Sequence, residues 1–112
     1  MQAIAFYRDR LGFEVTFLGP DEDPYFAIVE REGVSLMLKA ILPEVPPLPN
    51  ARRHPWARWD AYVHTADPDM LAEEFTSRGV AFHQPVGVNS DQLRGFEVKD
   101  VDGYVLYFGR PA

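Results

Sequence analysis

The chain has 112 residues and a formal net charge of −6. This length, with 46% apolar residues, is enough for one domain with a single hydrophobic core. It contains no cysteine, which excludes disulfides, thiolate metal ligands and a cysteine nucleophile. The acidic charge disfavours nucleic acid as a partner, and no apolar run reaches the roughly 20 residues of a membrane span. Arg8, Asp9 and Arg10 interrupt any signal-peptide core, so we expect a cytoplasmic protein.

The first half of the chain predicts one helix followed by three strands. Apolar residues recur every three or four positions over residues 3–11, and Gly12 follows where a helix commonly ends. Apolar and polar residues then alternate, which is typical of half-buried strands, and we expect Phe13, Val15 and Phe17 to share one face. The predicted strands are 13–18, 25–31 and 34–39, with a hairpin turn at 31–33.

A proline-rich segment over residues 41–58 separates the two halves of the chain. Its prolines are Pro43, Pro46, Pro47, Pro49 and Pro55. Proline lacks a backbone N–H, so we expect this density to preclude a regular helix or a central strand and to leave an ordered connector. The connector carries a basic cluster of Arg52, Arg53 and His54, which we interpret either as a solvated loop or as an anion clamp at a pocket mouth.

The second half predicts a strand, a helix and three further strands. Asp67 is a good N-cap, Pro68 suits the first helical position, and Gly79 ends the helix. The residues 100–103 (DVDG) form a turn before the last strand. The predicted strands are 59–64, 80–84, 96–99 and 104–108.

The two halves repeat one plan, because each contains a helix ended by a glycine and a last hairpin with a second glycine. Gly12 and Gly33 of the first half correspond to Gly79 and Gly103 of the second. Only the second half has a strand ahead of its helix, so we expect the first strand of module one to be absent. Either the repeat is incomplete or the true start lies upstream, and the second alternative is favoured because a lost strand exposes a sheet edge. We therefore predict a single domain with module one at 1–40, the connector at 41–58 and module two at 59–112.

Three segments of the chain resemble the vicinal oxygen chelate superfamily, which contains the glyoxalases, the bleomycin-resistance proteins and the extradiol dioxygenases. Residues 6–15 (FYRDRLGFEV) resemble its FYxxxLGF segment, residues 78–82 (RGVAF) resemble the counterpart in the second module, and residues 96–108 (FEVKDVDGYVLYF) resemble its closing segment. The resemblance implies an α+β fold. In this fold, paired βαβββ modules form curved mixed sheets around a cavity, and each helix packs on the convex side.

The resemblance also implies which side chains line the cavity. Val34, Leu36 and Leu38 would face a helix, and the alternate positions of the same strands would face the cavity. The more polar character of those alternate positions suits a ligand surface. The expected ligand-binding residues are Met37, Lys39, Asp60, Tyr62, His64, Glu97 and Tyr107.

Enzymes of this superfamily hold a divalent metal with His or Glu at four strand positions, and the resemblance places three of these positions in this chain. They are occupied by Met37, Asp60 and Tyr107. Methionine and tyrosine are not usual ligands of the hard ions that these enzymes use. His64 lies roughly 13 Å from Asp60 along a strand, so the two cannot share one ion. We therefore predict no metal, no other cofactor and no catalytic residue.

Superfamily members without metal ligands include the bleomycin-resistance type, which this chain resembles most. That resemblance implies a homodimer that binds a small molecule in a pocket at the subunit interface. An acidic protein attracts a cation, and exposed aromatic rings stack on aromatic groups, so we expect a cationic or aromatic, antibiotic-like ligand. Two alternatives stay open. One is a metal-dependent lyase, isomerase or dioxygenase of the same superfamily, and the other is a non-catalytic dimerisation module.

Overall fold

The computed structural model of the chain describes residues 2–42 and 44–112, so Pro43 of the predicted connector lies outside the described residues. The chain divides into two compact units, Met1–Pro46 and Pro47–Ala112, referred to below as the first and second units. This division falls inside the predicted connector. Within the described ranges, no helix is both long enough and apolar enough to cross a membrane.

The first unit opens with the helix that its apolar spacing predicts. Helix α1 (Gln2–Ala5) continues into a π-helical turn over Phe6–Arg10, where the N–H of Leu11 donates to the carbonyl of Phe6 at 3.2 Å. Gly12 follows with a φ of 70°, a left-handed conformation that favours glycine and ends the helix. The helix buries Tyr7 edge-on against Phe13, with ring centroids 5.9 Å apart.

Three antiparallel strands form the sheet of the first unit in the order β1-β2-β3. Their bounds are β1 (Glu14–Gly19), β2 (Phe26–Arg31) and β3 (Val34–Lys39). Glu32 and Gly33, both with positive φ, make the predicted hairpin turn between β2 and β3. Ala27 and Val29 of the middle strand are fully buried, so the sheet presents this face to the core of the unit.

A register shift in β1 moves one aromatic ring to the other face of the sheet. Val15 pairs with Val29, whereas Phe17 pairs with Ile28, the neighbouring position of β2, so the two side chains lie on opposite faces. The prediction that Phe17 shares a face with Val15 is therefore wrong. The ring of Phe17 is 52% exposed.

The second unit begins with a four-residue helix, α2 (Asn50–Arg53), inside the connector. The prediction that the prolines preclude a regular helix throughout the connector is wrong for these four residues. Pro49 stands at the N-cap and Pro55 lies beyond the last turn, so the prolines flank the helix and do not interrupt it. The basic cluster at its end is exposed.

A βαβββ module forms the rest of the second unit, as the sequence predicts. Its elements are β4 (Ala61–His64), α3 (Pro68–Ser77), β5 (Phe82–Val88), β6 (Leu93–Lys99) and β7 (Val105–Pro111). The strand order is β4-β7-β6-β5, in which β4 and β7 are parallel and the other pairs antiparallel. The strand that opens the module thus lies beside the strand that closes it, which makes β7 a central strand.

Helix α3 packs its apolar side on this sheet through an aromatic cluster. Phe75 meets Phe96 and Phe108 edge-to-face, at centroid distances of 5.7 and 5.2 Å, and the latter two rings stack across β6 and β7. All three rings are buried. The predicted caps are confirmed: the carboxylate of Asp67 accepts the N–H of Met70, and Pro68 is the first helical residue.

Candidate functional site

One row of side chains crosses the sheet of the second unit on the face opposite α3. The register pairs Tyr62 of β4 with Tyr107 of β7, Tyr107 with Glu97 of β6, and Glu97 with Gln84 of β5. Directly paired residues project from the same face of a sheet. Because Phe108, the next residue of β7, faces the helix, this row lies on the other side.

Three of the aromatic rings on this face form a stack, called here the aromatic row: Trp59, Tyr62 and Tyr107. The ring of Tyr107 lies 4.2 Å from that of Trp59 and 5.7 Å from that of Tyr62, with interplanar angles of 22° and 15°. The indole N–H of Trp59 donates to Oε2 of Glu97 at 3.0 Å, and the hydroxyl of Tyr62 donates to the carbonyl of Gly109 at 3.2 Å. Trp59 and Tyr62, which also contact each other at a centroid distance of 6.2 Å, are therefore both held by hydrogen bonds beside Tyr107.

Two glycines allow Tyr107 to lie close to the sheet. Gly95 and Gly109 are direct partners on β6 and β7. A Cβ on Gly95 would lie 2.7 Å from the hydroxyl oxygen of Tyr107 and would also clash with the carbonyl oxygen of Phe108. A Cβ on Gly109 would lie 2.5 Å from the Tyr107 ring. Any larger residue at either position would displace the ring, so this pair of glycines sets its position.

A cavity of about 200 Å³ opens beside the row within the second unit. It is lined by Arg58, Gln84, Pro85, Gly87, Val88, Asn89, Gly95, Glu97 and Tyr107. The guanidinium of Arg58 lies 4.9 Å from the Trp59 ring centroid and pairs with Asp91 of the β5–β6 loop. One wall of the cavity thus carries a carboxylate and a phenol, and Arg58 brings a cation that is already paired.

The hydroxyl of Tyr107 is buried without a hydrogen-bond partner in the described parts of the chain. Tyr107 is only 2% exposed, and it forms part of the cavity wall. Burial is the main cause that raises the pKa of Tyr107 above its usual value, and the neighbouring Tyr62 and Glu97 raise it further. The phenol therefore stays protonated at neutral pH and can donate a hydrogen bond.

Asp60 occupies a structural position. One of its carboxylate oxygens accepts the N–H of Asn50, at the start of α2, and the other accepts the N–H of Val105, at the start of β7, both at 2.8 Å. The side chain thus joins the connector to the sheet. Both oxygens already serve the fold. The role of Asp60 in ligand binding stays a prediction.

The other predicted site residues are distributed over both units. His64 is exposed on β4, on the same face as Tyr62. Met37 and Lys39 belong to the first unit, where both are exposed and lie on the face of β3 opposite Leu36 and Leu38. The structure therefore brings together Tyr62, Glu97 and Tyr107, and the ligand-binding roles of all seven residues stay predictions.

The donor set in the family's metal positions does not fit a hard divalent ion. Tyr107 presents a protonated phenol, Met37 a thioether, and Asp60 a carboxylate whose oxygens already accept two backbone N–H groups. Across residues 2–42 and 44–112, no three His, Asp or Glu side chains lie close enough to hold a metal. The prediction that the protein binds its ligand without a metal stays a prediction.

Several residues of the candidate site were not predicted from the sequence. Arg58 and Gln84 line the cavity, and the glycine pair positions Tyr107. A signal for the glycines was present: Gly95 and Gly109 lie at equal distances on either side of Asp102, so a hairpin centred there pairs them. The sequence carries no comparable signal for Arg58, which reaches the cavity from outside any strand.

Comparison with known proteins places these features in a family. The sequence profile of the Glyoxalase/Bleomycin resistance protein/Dioxygenase superfamily matches residues 1–108. No curated protein is a significant match to the chain.

Solved structures are similar over nearly the whole chain. TioX from Micromonospora sp. ML1 is 19% identical, with a TM-score of 0.71, covering 98% of this chain and 88% of its own. TnmS3, an antibiotic binding protein from Streptomyces sp. CB03234, is 25% identical, with a TM-score of 0.70, covering 99% and 85%. A glyoxalase/bleomycin resistance protein from the same Streptomyces strain is 25% identical, with a TM-score of 0.69, covering 97% and 89%. With a sheet in each unit, a βαβββ module in the second and the profile in agreement, the chain belongs to the glyoxalase/bleomycin resistance protein/dioxygenase superfamily.

Proposed function

We propose that this protein binds a small, aromatic, antibiotic-like molecule without a metal, against the aromatic row of the second unit. The observation that carries the proposal is the stack of Trp59, Tyr107 and Tyr62 beside a cavity. Tyr62 is 43% exposed at the end of the row, so one aromatic ring is open to a planar partner. Rings held in place by hydrogen bonds and packing lose little freedom when a ligand stacks on them.

Charge favours a cationic ligand over an anionic one. The carboxylate of Glu97 is half-buried beside the row, and the only cation of the cavity lining within the described residues, Arg58, is paired with Asp91. The whole chain carries a net charge of −6. A positive ligand gains from both the local carboxylate and the overall field, whereas a negative one is repelled.

The similar structures support the same proposal. TnmS3 is described as an antibiotic binding protein, and it is 25% identical over 99% of this chain. The donor set, which does not fit a hard metal ion, favours binding over the metal-dependent reactions of other superfamily members.

We further propose that the protein works as a homodimer and that the ligand lies at the subunit interface. The proposal is supported by exposed apolar side chains on one sheet face of the first unit, where Phe17 at 52% and Met37 at 72% both pair with Ile28. Grouped apolar surface of this kind commonly marks an interaction site. Sedimentation velocity over a range of concentrations tests it, and a monomer that still binds the ligand would rule out the interface.

The binding proposal is tested by fluorescence titration of a Trp56→Phe variant, which keeps Trp59 as the only tryptophan. Trp56 is 87% exposed and does not line the cavity, so its replacement leaves the site intact. The probes are bleomycin, the planar cation proflavine and the planar anion anthraquinone-2-sulfonate. We expect saturable quenching of Trp59 with proflavine or bleomycin, and weaker binding of the anion.

A matched pair of tyrosine variants locates the site. Tyr62→Ala removes the open ring of the row, and we expect about a tenfold loss of affinity for the planar cation. Tyr25→Ala removes a ring that is 50% exposed in the first unit, and it should leave affinity unchanged. Equal effects of the two variants, or binding that disappears after chelator treatment and returns with an added divalent ion, would overturn the proposal. The second result would favour a metal-dependent enzyme.

A further inference from the structure

The buried hydroxyl of Tyr107 is the most unusual polar group of the second unit. A buried hydroxyl without a hydrogen bond costs roughly 1–3 kcal/mol, so proteins rarely retain one where the ring alone would suffice. The ring of Tyr107 already contributes the stacking with Trp59 and Tyr62, to which the hydroxyl adds nothing. A Cβ on Gly95 would lie 2.2 Å from the carbonyl oxygen of Phe108 and 2.7 Å from this hydroxyl oxygen, so the glycine leaves room for both. The hydroxyl is therefore accommodated by the fold and unused by it.

The surroundings of this hydroxyl restrict what it can bind. Tyr107 lies directly across from Glu97, whose Oε2 accepts the N–H of Trp59. The other oxygen of Glu97, Oε1, has the imidazole of the exposed His83 at 3.9 Å, which is beyond hydrogen-bond distance. The negative charge of Glu97 would repel an anionic acceptor at the phenol. A neutral acceptor with a hydrogen-bond donor beside it satisfies both groups, because the phenol donates and Oε1 accepts.

The cavity also restricts the size of the group. At about 200 Å³ it is smaller than the roughly 300–1,000 Å³ of sites that enclose a whole drug-sized ligand. It suits one or two fused rings, with the rest of a larger molecule outside. The Tyr107 hydroxyl oxygen lies beside Gly95, and Gly95, Glu97 and Tyr107 all line this cavity, so the phenol and the carboxylate border the same space.

We propose that Tyr107 and Glu97 form a polar subsite that recognises a ring carbonyl next to an N–H, as in a lactam fused to an aromatic ring. The phenol donates to the carbonyl oxygen, and Oε1 of the carboxylate accepts from the N–H. This inference rests on the proposed function, because it specifies the chemistry of the aromatic ligand that the row binds.

Three bicyclic probes separate the two hydrogen bonds from stacking. Carbostyril carries the ring carbonyl and the adjacent N–H, N-methylcarbostyril keeps only the carbonyl, and naphthalene has neither. Affinities are measured by ligand-observed NMR titration of the wild-type protein. We expect carbostyril to bind most tightly and naphthalene most weakly, with about a three- to tenfold step for each hydrogen bond.

Two substitutions assign the steps to residues. Tyr107→Phe removes only the hydroxyl, so both carbostyrils should weaken about three- to tenfold while naphthalene is unchanged. Glu97→Gln removes the charge, so the preference for carbostyril over its N-methyl derivative should decrease. Tyr104→Phe is the matched control, because the Tyr104 hydroxyl accepts the N–H of Leu48 outside the cavity, and it should change none of the three affinities.

A second readout needs no ligand. Because the hydroxyl has no partner, Tyr107→Phe should melt at the same temperature as the wild type or higher, whereas Tyr62→Phe, which loses the bond to Gly109, should melt lower.

The outcomes distinguish this inference from the function on which it rests. If none of the three probes binds the wild type although proflavine does, the polar subsite is overturned and the proposed function stands, whereas if proflavine also fails to bind, both are overturned. If naphthalene binds as tightly as the carbostyrils and Tyr107→Phe changes no affinity, the aromatic site stands and the polar subsite is overturned. A marked loss of melting temperature in Tyr107→Phe also overturns the subsite, because it would show that the hydroxyl serves the fold.

Discussion

The two units build their last three strands on the same antiparallel plan, yet their closing strands differ in burial. In the second unit, β7 lies between β4 and β6, and five consecutive residues from Val105 are buried. In the first unit, β3 is an edge strand whose residues alternate between half-buried and exposed. Tyr107 of β7 is 2% exposed, while Met37 of β3 is 72% exposed.

The difference follows from one additional strand. Parallel pairing with β4 makes β7 a central strand, and its row gains Tyr62 and Trp59 as neighbours for Tyr107. A central strand can therefore hold a buried phenol in a fixed place, which an edge strand cannot do. The aromatic row and the cavity beside it therefore belong to the second unit, in which a βαβββ module is formed.

The aromatic core of the second unit should be the most sensitive part of the contrast. Phe108→Ala removes a ring that is 1% exposed and contacts Phe75 and Phe96, and we expect a loss of about 3–5 kcal/mol in the free energy of unfolding. Phe17→Ala removes a ring that is 52% exposed in the first unit and should cost much less. Urea denaturation of both variants in the Trp56→Phe background, followed by Trp59 fluorescence, measures both losses. Similar losses would contradict the contrast.

The glycine pair beneath Tyr107 should be the next most sensitive feature. Gly95→Ala places a methyl group against the Tyr107 hydroxyl and the backbone of β7, and we expect a loss of about 1–3 kcal/mol together with weaker ligand binding. Gly87→Ala, on the adjacent strand, has nothing within 4 Å of its new Cβ and is the matched control for stability. Thermal melts of the two variants check the prediction, and a tolerated Gly95→Ala would mean that the sheet can shift to free the ring.

A substitution at Asp60 tests whether its single carboxylate holds the connector to the sheet of the second unit. Asp60→Asn replaces one of two acceptors by an amide donor, which cannot bind a backbone N–H, so we expect a loss of about 1–3 kcal/mol. The loss should be the same with and without a chelator, because the carboxylate acts on the backbone. A loss that disappears in chelator would instead identify Asp60 as a metal ligand.

Most of the fold could be predicted from residue patterns. Apolar alternation located the strands, and Asp67, Pro68 and Gly79 marked the ends of α3 within a residue or two. The family resemblance supplied the βαβββ plan and the mixed character of the sheet, but the strand order and the parallel pairing of β4 with β7 were not predicted and come from the structure. The element that was missed, α2, is only four residues long and is held by Asp60 from outside the segment.

The candidate site was less predictable, and for a physical reason. Alternation indicated which residues share a face, which is why Tyr62, Glu97 and Tyr107 were found together. It could not anticipate the bulge that moves Phe17 to the other face, because a bulge depends on the pairing of two strands. It also could not show that Asp60 is occupied by backbone N–H groups, since these hydrogen bonds join positions distant in sequence.

The smallest expected effect concerns ion pairs that differ between the units. In the second unit, Arg94 of β6 contacts Asp69 of α3 through two hydrogen bonds of 2.6 and 2.8 Å, so the pair joins helix and sheet. In the first unit, Arg8 pairs with its sequence neighbour Asp9, and both side chains are exposed. Asp69→Asn should therefore destabilise the protein slightly at about pH 7, and Asp9→Asn should do so even less.

The pH dependence of this small effect identifies its origin. The hydrogen bonds from Arg94 are the main cause that lowers the pKa of Asp69 below its usual value. Since the folded state binds this proton less readily than the unfolded state, the contribution is complete above the unfolded pKa of about 4. It decreases as the pH falls through the lower folded value. Urea melts of wild type and Asp69→Asn should thus differ at about pH 7 and converge at about pH 2, and about 1 M salt should shrink the difference at neutral pH. A difference that persists in acid would mean that Asp69 supports the N-terminus of α3 by packing, and that the link to β6 contributes nothing.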